Sequence, residues 1–261
     1  MSYRFLVTCA TGDIGTELCL HLARKGHHLI LTGRDSEKLI ELRKKIIGEF
    51  PQIEIECFSA DLGKPVTMTD MIARANTLGI DGIVLMPPRP PLMPKDAAEQ
   101  FETLNNAMRD CLTGPRYLLQ KLIPGMEKSD LKSVILISGT SSKQAIAHPE
   151  WEAFNEVRTA WVGCLKSFSD QYGPAGIRFN TVSPGQVLTP TYVKKVEHES
   201  KTLTKQYEEV LKEKSATASL KRLASIQGVV KTIYFFLKSK GANEITANNV
   251  HIDGGTIRPY Y

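Results

Sequence analysis

The sequence contains no long apolar segment, and this absence excludes a helix that crosses a membrane. No stretch of the 261 residues approaches the roughly 18 consecutive apolar residues that such a helix needs. The short apolar run in MSYRFLVTCATG ends at a glycine turn and is followed by no small-residue cleavage site, so we expect no signal peptide. Hydrophobic residues make up 42% of the chain and charged residues 23%, a balance that argues against disorder.

Paired cysteines are also absent. The five cysteines are odd in number and scattered singly, and no two have the spacing of metal ligands. We therefore expect free, mostly buried thiols in a reducing compartment, which indicates a cytoplasmic protein without a metal site. The cysteines are Cys9, Cys19, Cys57, Cys111 and Cys164.

Charge of one sign is not concentrated anywhere in the chain. The net charge of +5 is spread through mixed-sign segments such as EKLIELRKK and KQYEEVLKEK. Solvated helix faces produce this pattern, so it does not indicate a nucleic-acid partner. We expect the protein to bind neither nucleic acid nor a membrane.

What the chain does have is a regular alternation of short apolar runs with segments of helical periodicity. Seven runs are predicted as strands: RFLVTC, HHLILTG, IEIECFSAD, IDGIVLMP, SVILIS, IRFNTVSPG and NNVHIDGG. Because they are apolar on both faces, they favour a parallel sheet covered by helices on each side. The segment 95–126 is expected to be one helix, kinked or broken near Gly114 and Pro115. The sequence predicts one α/β domain over residues 1–261, a Rossmann-type doubly wound sheet of about seven strands.

The turn VTCATGDIG follows the first strand and opens the first helix, which is the context of a dinucleotide-binding turn. Gly12 and Gly15 would let backbone N–H groups approach a pyrophosphate at the positive end of that helix. Its position after the first of several βα units favours a phosphate site over an ordinary strand–helix turn.

Four segments spread over the whole chain resemble the short-chain dehydrogenase/reductase (SDR) superfamily. VTCATGDIG is similar to its T-G-x-x-G-x-x-G turn, with Cys9 at the first glycine, where a thiol should crowd the turn slightly. SADLGK resembles its D-[LV] step, IRFNTVSPGQVLTP its I-R-V-N-x-[IV]-x-P-G-x-[IV]-x-T segment, and NNVHIDGG its closing strand. The resemblance implies a nicotinamide cofactor, a small-molecule substrate and a homodimer or homotetramer. The implied cofactor contacts are Thr8, Gly12, Asp13, Ile14, Gly15, Asp61, Leu62, Pro184, Gly185, Val187 and Thr189.

The end of the second strand bears on which nicotinamide cofactor is bound. A carboxylate there would accept hydrogen bonds from the adenosine ribose and repel a 2′-phosphate, but this chain has Gly33 followed by Arg34. A guanidinium suits a phosphate, so NADP(H) is favoured and NAD(H) remains an alternative. Arg34 could instead stack on the adenine or lie in solvent. Asp13 argues against either cofactor unless its carboxylate points away from the phosphates.

The resemblance implies a catalytic tyrosine, a lysine four residues later, a serine and an asparagine. Counting back from the proline–glycine pair and from IRFN places Phe154 at the tyrosine and Arg158 at the lysine, and Cys111 falls at the asparagine. The serine position is Ser138 or Gly139 by strand-end alignment and Ser141 by spacing from Phe154. Phenylalanine cannot donate a proton, so ketone reduction should lose the roughly 10² to 10⁴-fold that general acid catalysis contributes.

Three functions remain open. In the first, the protein is an oxidoreductase that reduces a conjugated double bond of a small, perhaps anionic, substrate without a tyrosine, because stabilising the resulting enolate is then the main demand. In the second, it is a nucleotide-binding pseudoenzyme or scaffold that does not turn over. In the third, it is a non-redox isomerase or dehydratase.

Several further residues are candidates for the substrate side. Arg158 suits an oxyanion, a carboxylate or the nicotinamide ribose, and Arg89 in PPRPP could present a guanidinium to an anionic substrate. His148 could supply a proton, and Tyr192 could replace the missing acid. Each could equally be an ordinary surface or packing residue. In the family, the region at about 190–225 is a substrate lid, and its charge here fits solvent exposure.

Overall fold

A seven-stranded parallel sheet forms the centre of the protein in the computed structural model, which describes residues 2–258. The strand order is β3-β2-β1-β4-β5-β6-β9, and every pairing is parallel. The seven predicted strands are confirmed, and two further short strands, β7 and β8, pair with each other. The strands are β1 (Arg4–Val7), β2 (His28–Gly33), β3 (Ile55–Ser59), β4 (Gly82–Leu85), β5 (Ser133–Ile137), β6 (Arg178–Pro184), β7 (Val187–Leu188), β8 (Ala224–Ser225) and β9 (Asn249–Ile252).

Helices cover both faces of this sheet. They are α1 (Asp13–Arg24), α2 (Ser36–Glu49), α3 (Thr69–Leu78), α4 (Ala97–Met108), α5 (Gly114–Leu122), α6 (Glu152–Tyr172), α7 (Pro190–Leu203), α8 (Tyr207–Ser215) and α9 (Ile226–Lys238). Helices α1, α2 and α9 share one apolar core, and α3, α5 and α6 share the other. The predicted doubly wound α/β fold is therefore confirmed.

The alternation of side chains along each strand explains why the strands are apolar throughout. In β1, Phe5 and Val7 belong to the core beneath α1 and α9, whereas Leu6 between them belongs to the opposite core. Successive residues of a strand point to opposite faces, so a sheet covered on both sides requires an apolar residue at every position. All three side chains have 0% exposure, as this arrangement demands.

The expected break near Gly114 and Pro115 lies earlier and has a different form. A five-residue π-helical turn, Arg109–Thr113, joins α4 to α5 without ending the helical path. Pro115 has no N–H to donate to the carbonyl of Cys111, and that carbonyl accepts a 2.8 Å hydrogen bond from Trp161 Nε1 instead. The proline is thus accommodated by a π turn, with its orphaned acceptor satisfied from α6.

The region at about 190–225 consists of α7, α8 and a connection that ends in β8. Helix α8 begins with a capping box in which Gln206 and Glu209 satisfy each other's backbone groups. Its function as a lid stays a prediction. Within residues 2–258, no helix has the length and apolarity to span a bilayer.

Candidate active site at the carboxyl edge of the sheet

The carboxyl ends of β1, β4, β5 and β6 meet at one edge of the sheet, because all of the strands are parallel. The strand order reverses between β1 and β4, where successive connections run to opposite sides. Open α/β sheets bind their ligands at such a point. The loops that follow these four strands carry most of the residues predicted for the site.

The turn after β1 has the form of a phosphate cradle. Gly12 is the N-cap of α1 and provides no side-chain cap, so the first N–H groups of the helix are left for a ligand. A Cβ atom on Gly15 would lie 2.8 Å from the carbonyl oxygen of Ala10, so only glycine allows this close approach of helix and turn. Ile14 lies between them in the first turn of the helix. These features fit the two phosphates of a dinucleotide.

Cys9 occupies this turn at a cost in backbone conformation. Its φ is +47°, in the left-handed region that favours glycine. Burial raises the pKa of the thiol to about 11, although the nearby charge of Arg34 opposes the shift. The thiol is therefore protonated at neutral pH and is a packing group rather than a nucleophile.

Asp13 directs its carboxylate away from the cradle and towards the start of α7. Its Oδ2 accepts a 3.1 Å hydrogen bond from the backbone N–H of Thr191. Partial burial raises the pKa of Asp13, but hydrogen bonds from Thr189 and Thr191 and the charge of Lys194 outweigh this effect, and the pKa lies below 3.8. The negative charge of Asp13, which would disfavour a bound cofactor if it faced the phosphates, is thus hydrogen-bonded by Thr191 in the predicted lid.

Two predicted cofactor contacts, Thr8 and Leu62, have buried side chains and stay predictions for their backbone atoms alone. Thr8 has 0% exposure, and its hydroxyl donates to the carbonyl of Met86 at 2.9 Å and accepts from the N–H of Met86 at 2.7 Å. It therefore fastens the end of β1 to the end of β4. Leu62, with 4% exposure, packs in the core that contains α3, α5 and α6.

The remaining predicted cofactor contacts lie along the same edge. Arg34 is exposed just after β2 and forms no ion pair with residues 2–258. Asp61 accepts the N–H of Gly63 at 3.0 Å and lies 3.6 Å from the ammonium of Lys64. The others are Gly33 and Pro184, which end β2 and β6; Gly185 beside Asp253; Val187 in β7; and Thr189, the N-cap of α7.

Phe154, predicted for the substrate side, lies beneath two arginine side chains. Its side chain is 1% exposed, yet it belongs to neither apolar core. The ring centroid lies 4.6 Å from that of Trp151, and the Cζ atoms of Arg158 and Arg89 lie 5.2 and 5.1 Å from it. Two guanidinium groups therefore flank one aromatic ring.

Arg158 reaches inward from α6 beside the end of β5. Its Nη1 donates to Ser141 Oγ at 3.2 Å, and Ser141 Oγ donates to the carbonyl of Phe154 at 3.4 Å. A Cβ atom on Gly139 would lie 2.4 Å from Nη1, so the guanidinium occupies the space that a side chain at 139 would need. Burial, and then the charge of Arg89, lower the pKa of Arg158 to about 10.

The candidate serines differ in their bonding. Ser141 is engaged by Arg158, whereas the hydroxyl of Ser138 is buried and has no hydrogen-bond partner within residues 2–258. Buried hydroxyls are nearly always paired, so Ser138 has an unused donor and acceptor at the end of β5.

Other candidates have structural partners. His148 is exposed, and its Nδ1 accepts the N–H of Glu150 at 3.4 Å, which caps the short 3₁₀ turn before α6. Tyr192 Oη donates to Gln186 Oε1 at 2.8 Å. His148 therefore caps this turn, and Tyr192 joins the start of α7 to the segment between β6 and β7; their catalytic roles stay predictions.

Cys111 lies in the middle of the π turn, 2% exposed, and burial raises the pKa of its thiol to about 12. Sequence reasoning missed Trp151, whose helical spacing from Phe154 was typical of packing, and Thr191, which no local signal connects with Asp13. The described residues contain no cluster of side chains that could hold a metal ion.

Known proteins share both the sequence pattern and the fold. A rat protein, dehydrogenase/reductase SDR family member 4, is 27% identical over 255 residues, which cover 96% of this chain and 86% of that protein. L-sorbose reductase from Gluconobacter frateurii, solved with NADPH and L-sorbose, superposes with a TM-score of 0.87 at 19% identity, over 99% of this chain and 97% of that one.

A short-chain oxidoreductase from Pseudomonas aeruginosa PAO1, described as containing an atypical catalytic center, has a TM-score of 0.86 at 18% identity and covers 98% of both chains. At these identities the two structures establish the fold alone. The sequence profile of the family described as enoyl-(acyl carrier protein) reductase matches residues 10–256. Since this match spans nearly the whole chain, the protein belongs to that family, within the short-chain dehydrogenase/reductase superfamily of oxidoreductases.

Proposed function

We propose that the protein is an NADP(H)-dependent reductase of a carbon–carbon double bond conjugated to a carbonyl, and that it acts without a tyrosine acid. The observation that carries this proposal is the pairing of Phe154 with Arg158 at the carboxyl edge of the sheet. The ring cannot donate a proton, while the guanidinium can stabilise negative charge on an oxygen.

The helix geometry supports the register on which the proposal depends. Phe154 and Arg158 are one turn apart on α6, and side chains with this spacing share a face. That face meets the end of β5 at Gly139 and Ser141, where the family's serine is expected. We infer that Phe154 and Arg158 stand at the family's tyrosine and lysine positions.

The residues present fit a dinucleotide. The phosphates would lie against the N–H groups at the start of α1, and the exposed guanidinium of Arg34, with no carboxylate at the end of β2, would favour a 2′-phosphate. Thr189 and Gly185 would lie on the nicotinamide side. The relative from Gluconobacter frateurii was solved with NADPH, which agrees with NADP(H).

When bound, NADPH supplies a hydride to the carbon β to the carbonyl. The role of Arg158 is to stabilise the enolate oxygen that results, since its guanidinium is enclosed and close to the substrate side. Ser138 has a free hydroxyl for the same oxygen or for a water. The α carbon takes its proton from water, because Phe154 has none to give.

The experiment has two stages. NADPH and NADH are titrated against the protein by thermal shift, and NADPH is expected to bind more tightly. NADPH consumption is then followed at 340 nm with 2-cyclohexenone and with cyclohexanone as the matched ketone. Turnover of the enone alone supports the proposal, whereas equal turnover of both, or binding of neither cofactor, contradicts it.

One observation favours a second candidate, a pseudoenzyme that binds a nucleotide without turnover. Phe154, at the position proposed for the family's tyrosine, has no proton to donate, and its side chain is 1% exposed. The first N–H groups of α1 could still hold a dinucleotide that no catalytic acid acts on. Binding of NADPH without turnover of any conjugated carbonyl compound would support this candidate.

A further inference from the structure

The loop after β4 places a fixed positive charge at the substrate side. Arg89 lies in the run Pro87–Pro88–Arg89–Pro90–Pro91, whose prolines restrict the backbone. The loop is anchored to the short 3₁₀ turn before α6 by a 2.9 Å hydrogen bond from the N–H of Met93 to the carbonyl of Glu150. The guanidinium of Arg89 then stacks over Trp151 and Phe154, at 5.6 and 5.1 Å from their ring centroids.

Among the residues that the structure describes, neither of the two arginines at the ring has a counter-ion. Within residues 2–258, the side chains of Arg89 and Arg158 form no ion pair with a carboxylate. Arg158 has one protein acceptor, Ser141 Oγ, although a guanidinium has five N–H donors. The charge of Arg89 also disfavours the charge of Arg158. Two like charges that share one ring, with unused donors, are best satisfied by an anion.

We propose that the substrate carries a carboxylate in addition to its reacting carbonyl, and that Arg89 binds this carboxylate while Arg158 faces the carbonyl oxygen. The division follows from position: Arg89 is exposed at the rim, and Arg158 lies deeper, against Gly139. Arg89 is then the residue that selects substrates by charge. This inference rests on the proposed function, because it uses the carbonyl that Arg158 is assigned there.

The loop composition favours a carboxylate over a phosphate. A phosphate needs several donors around a tetrahedral group, but the prolines at 87, 88, 90 and 91 have no N–H to give. A carboxylate is planar and can be bound by the fork of one guanidinium. The aromatic rings of Trp151 and Phe154 hold that fork in place without competing for its donors.

The test measures binding rather than turnover. 3-Benzoylpropionate, a keto acid that cannot react with thiols, and its uncharged methyl ester are titrated by calorimetry, with and without NADPH. The wild-type protein is expected to bind the acid about tenfold to 100-fold more tightly than the ester. This ratio corresponds to the usual contribution of a hydrogen bond between a guanidinium and a carboxylate, which the ester cannot form. Arg89→Met should remove most of this preference, because it weakens binding of the acid far more than binding of the ester.

A matched control is Arg116→Met, because Arg116 also stacks on a phenylalanine, Phe168, at 5.3 Å, but outside the site. It should keep the preference for the acid. Equal affinity of the wild type for acid and ester overturns the inference, as does tighter binding of phenyl phosphate than of the acid. Acid preference without reduction of any enone leaves this inference standing and removes the proposed reaction, so the two failures are distinguishable.

Discussion

The turn after β1 and the surroundings of Phe154 accommodate unusual side chains in different ways. At the turn, Cys9 adopts φ +47°, in the left-handed region that favours glycine. Beside Phe154, the Arg158 guanidinium occupies the space that a side chain at position 139 would need, and Gly139 has none. The turn thus accepts a strained backbone, whereas the surroundings of Phe154 avoid a clash by leaving out a side chain.

The double change Phe154→Tyr with Arg158→Lys tests this comparison most strongly. If the register is right, it restores a general acid and a cation that lowers its pKa, and ketone reduction should rise by about 10² to 10⁴-fold. The measurement is kcat/KM for cyclohexanone with NADPH. Phe154→Tyr alone is the control, and no gain in the double variant would show that these positions do not face the substrate.

Arg158→Met removes the guanidinium that we propose stabilises the enolate oxygen. We expect kcat for enone reduction to fall by about 10² to 10³-fold, the cost of losing one donor to an oxyanion. Folding should be retained, because the methionine stem is close in size to that of arginine. Arg116→Met serves as the control, and a kcat unchanged in Arg158→Met would remove Arg158 from the reaction.

Gly139→Ala places a methyl group in the space that the Arg158 guanidinium occupies. The added methyl would displace the Arg158 guanidinium, a flexible group, so activity should fall by about tenfold to 100-fold while stability changes little. Gly163→Ala, where a Cβ meets nothing within 4 Å, is the matched control and should keep full activity. An inactive Gly163 variant would mean that added bulk alone explains the result.

Asp13→Asn tests how much the charge in the first turn of α1 affects cofactor binding. The Asp13 carboxylate is partly buried and held by Thr191, but it stays in the first turn of α1, so removing its charge is worth at most about 1 kcal/mol and NADPH should bind up to about fivefold more tightly. Weaker binding in the variant would show that the bonds from Asp13 to Thr191 help to form the cofactor site. The readout is the dissociation constant from fluorescence titration.

The same change predicts a pH dependence of stability. The folded-state pKa of Asp13 lies below its ordinary 3.8, so its stabilising effect is present above that value and is lost as the pH falls through the folded pKa. The free energies of unfolding of wild type and Asp13→Asn should differ at pH 7 and converge in strong acid. A constant difference would exclude this carboxylate as the cause.

Cys9→Gly has the smallest expected effect. It removes the strain of a left-handed residue, offset in part by the greater freedom of glycine when unfolded, for a net gain of about 0.5 to 1 kcal/mol. The melting temperature should rise by about 2 °C. A decrease would mean that packing of the thiol outweighs the strain. Cys57→Ala, at a partly buried thiol away from the turn, is the control.

The architecture could be predicted from the sequence. In a parallel sheet covered on both faces, every strand residue is buried, so each strand is visible as a continuous run of apolar residues. The sequence was also sufficient to place Phe154 and Arg158 on one helical face. It could not reveal that Asp13 meets Thr191, since the two are 178 positions apart and no periodicity connects them. The burial of Thr8 and Leu62 likewise depends on how β4 and α5 pack, which local patterns do not encode.

The proline run beside Arg89 also determines how the protein would respond to a series of ligands. The prolines around Arg89 leave the loop after β4 with little conformational entropy to lose, so a ligand of the right shape would bind without first ordering this loop. A loop that is already rigid also cannot move aside. Each methyl group added to a well-fitting ligand should therefore reduce affinity abruptly, and the range of accepted compounds should be narrow.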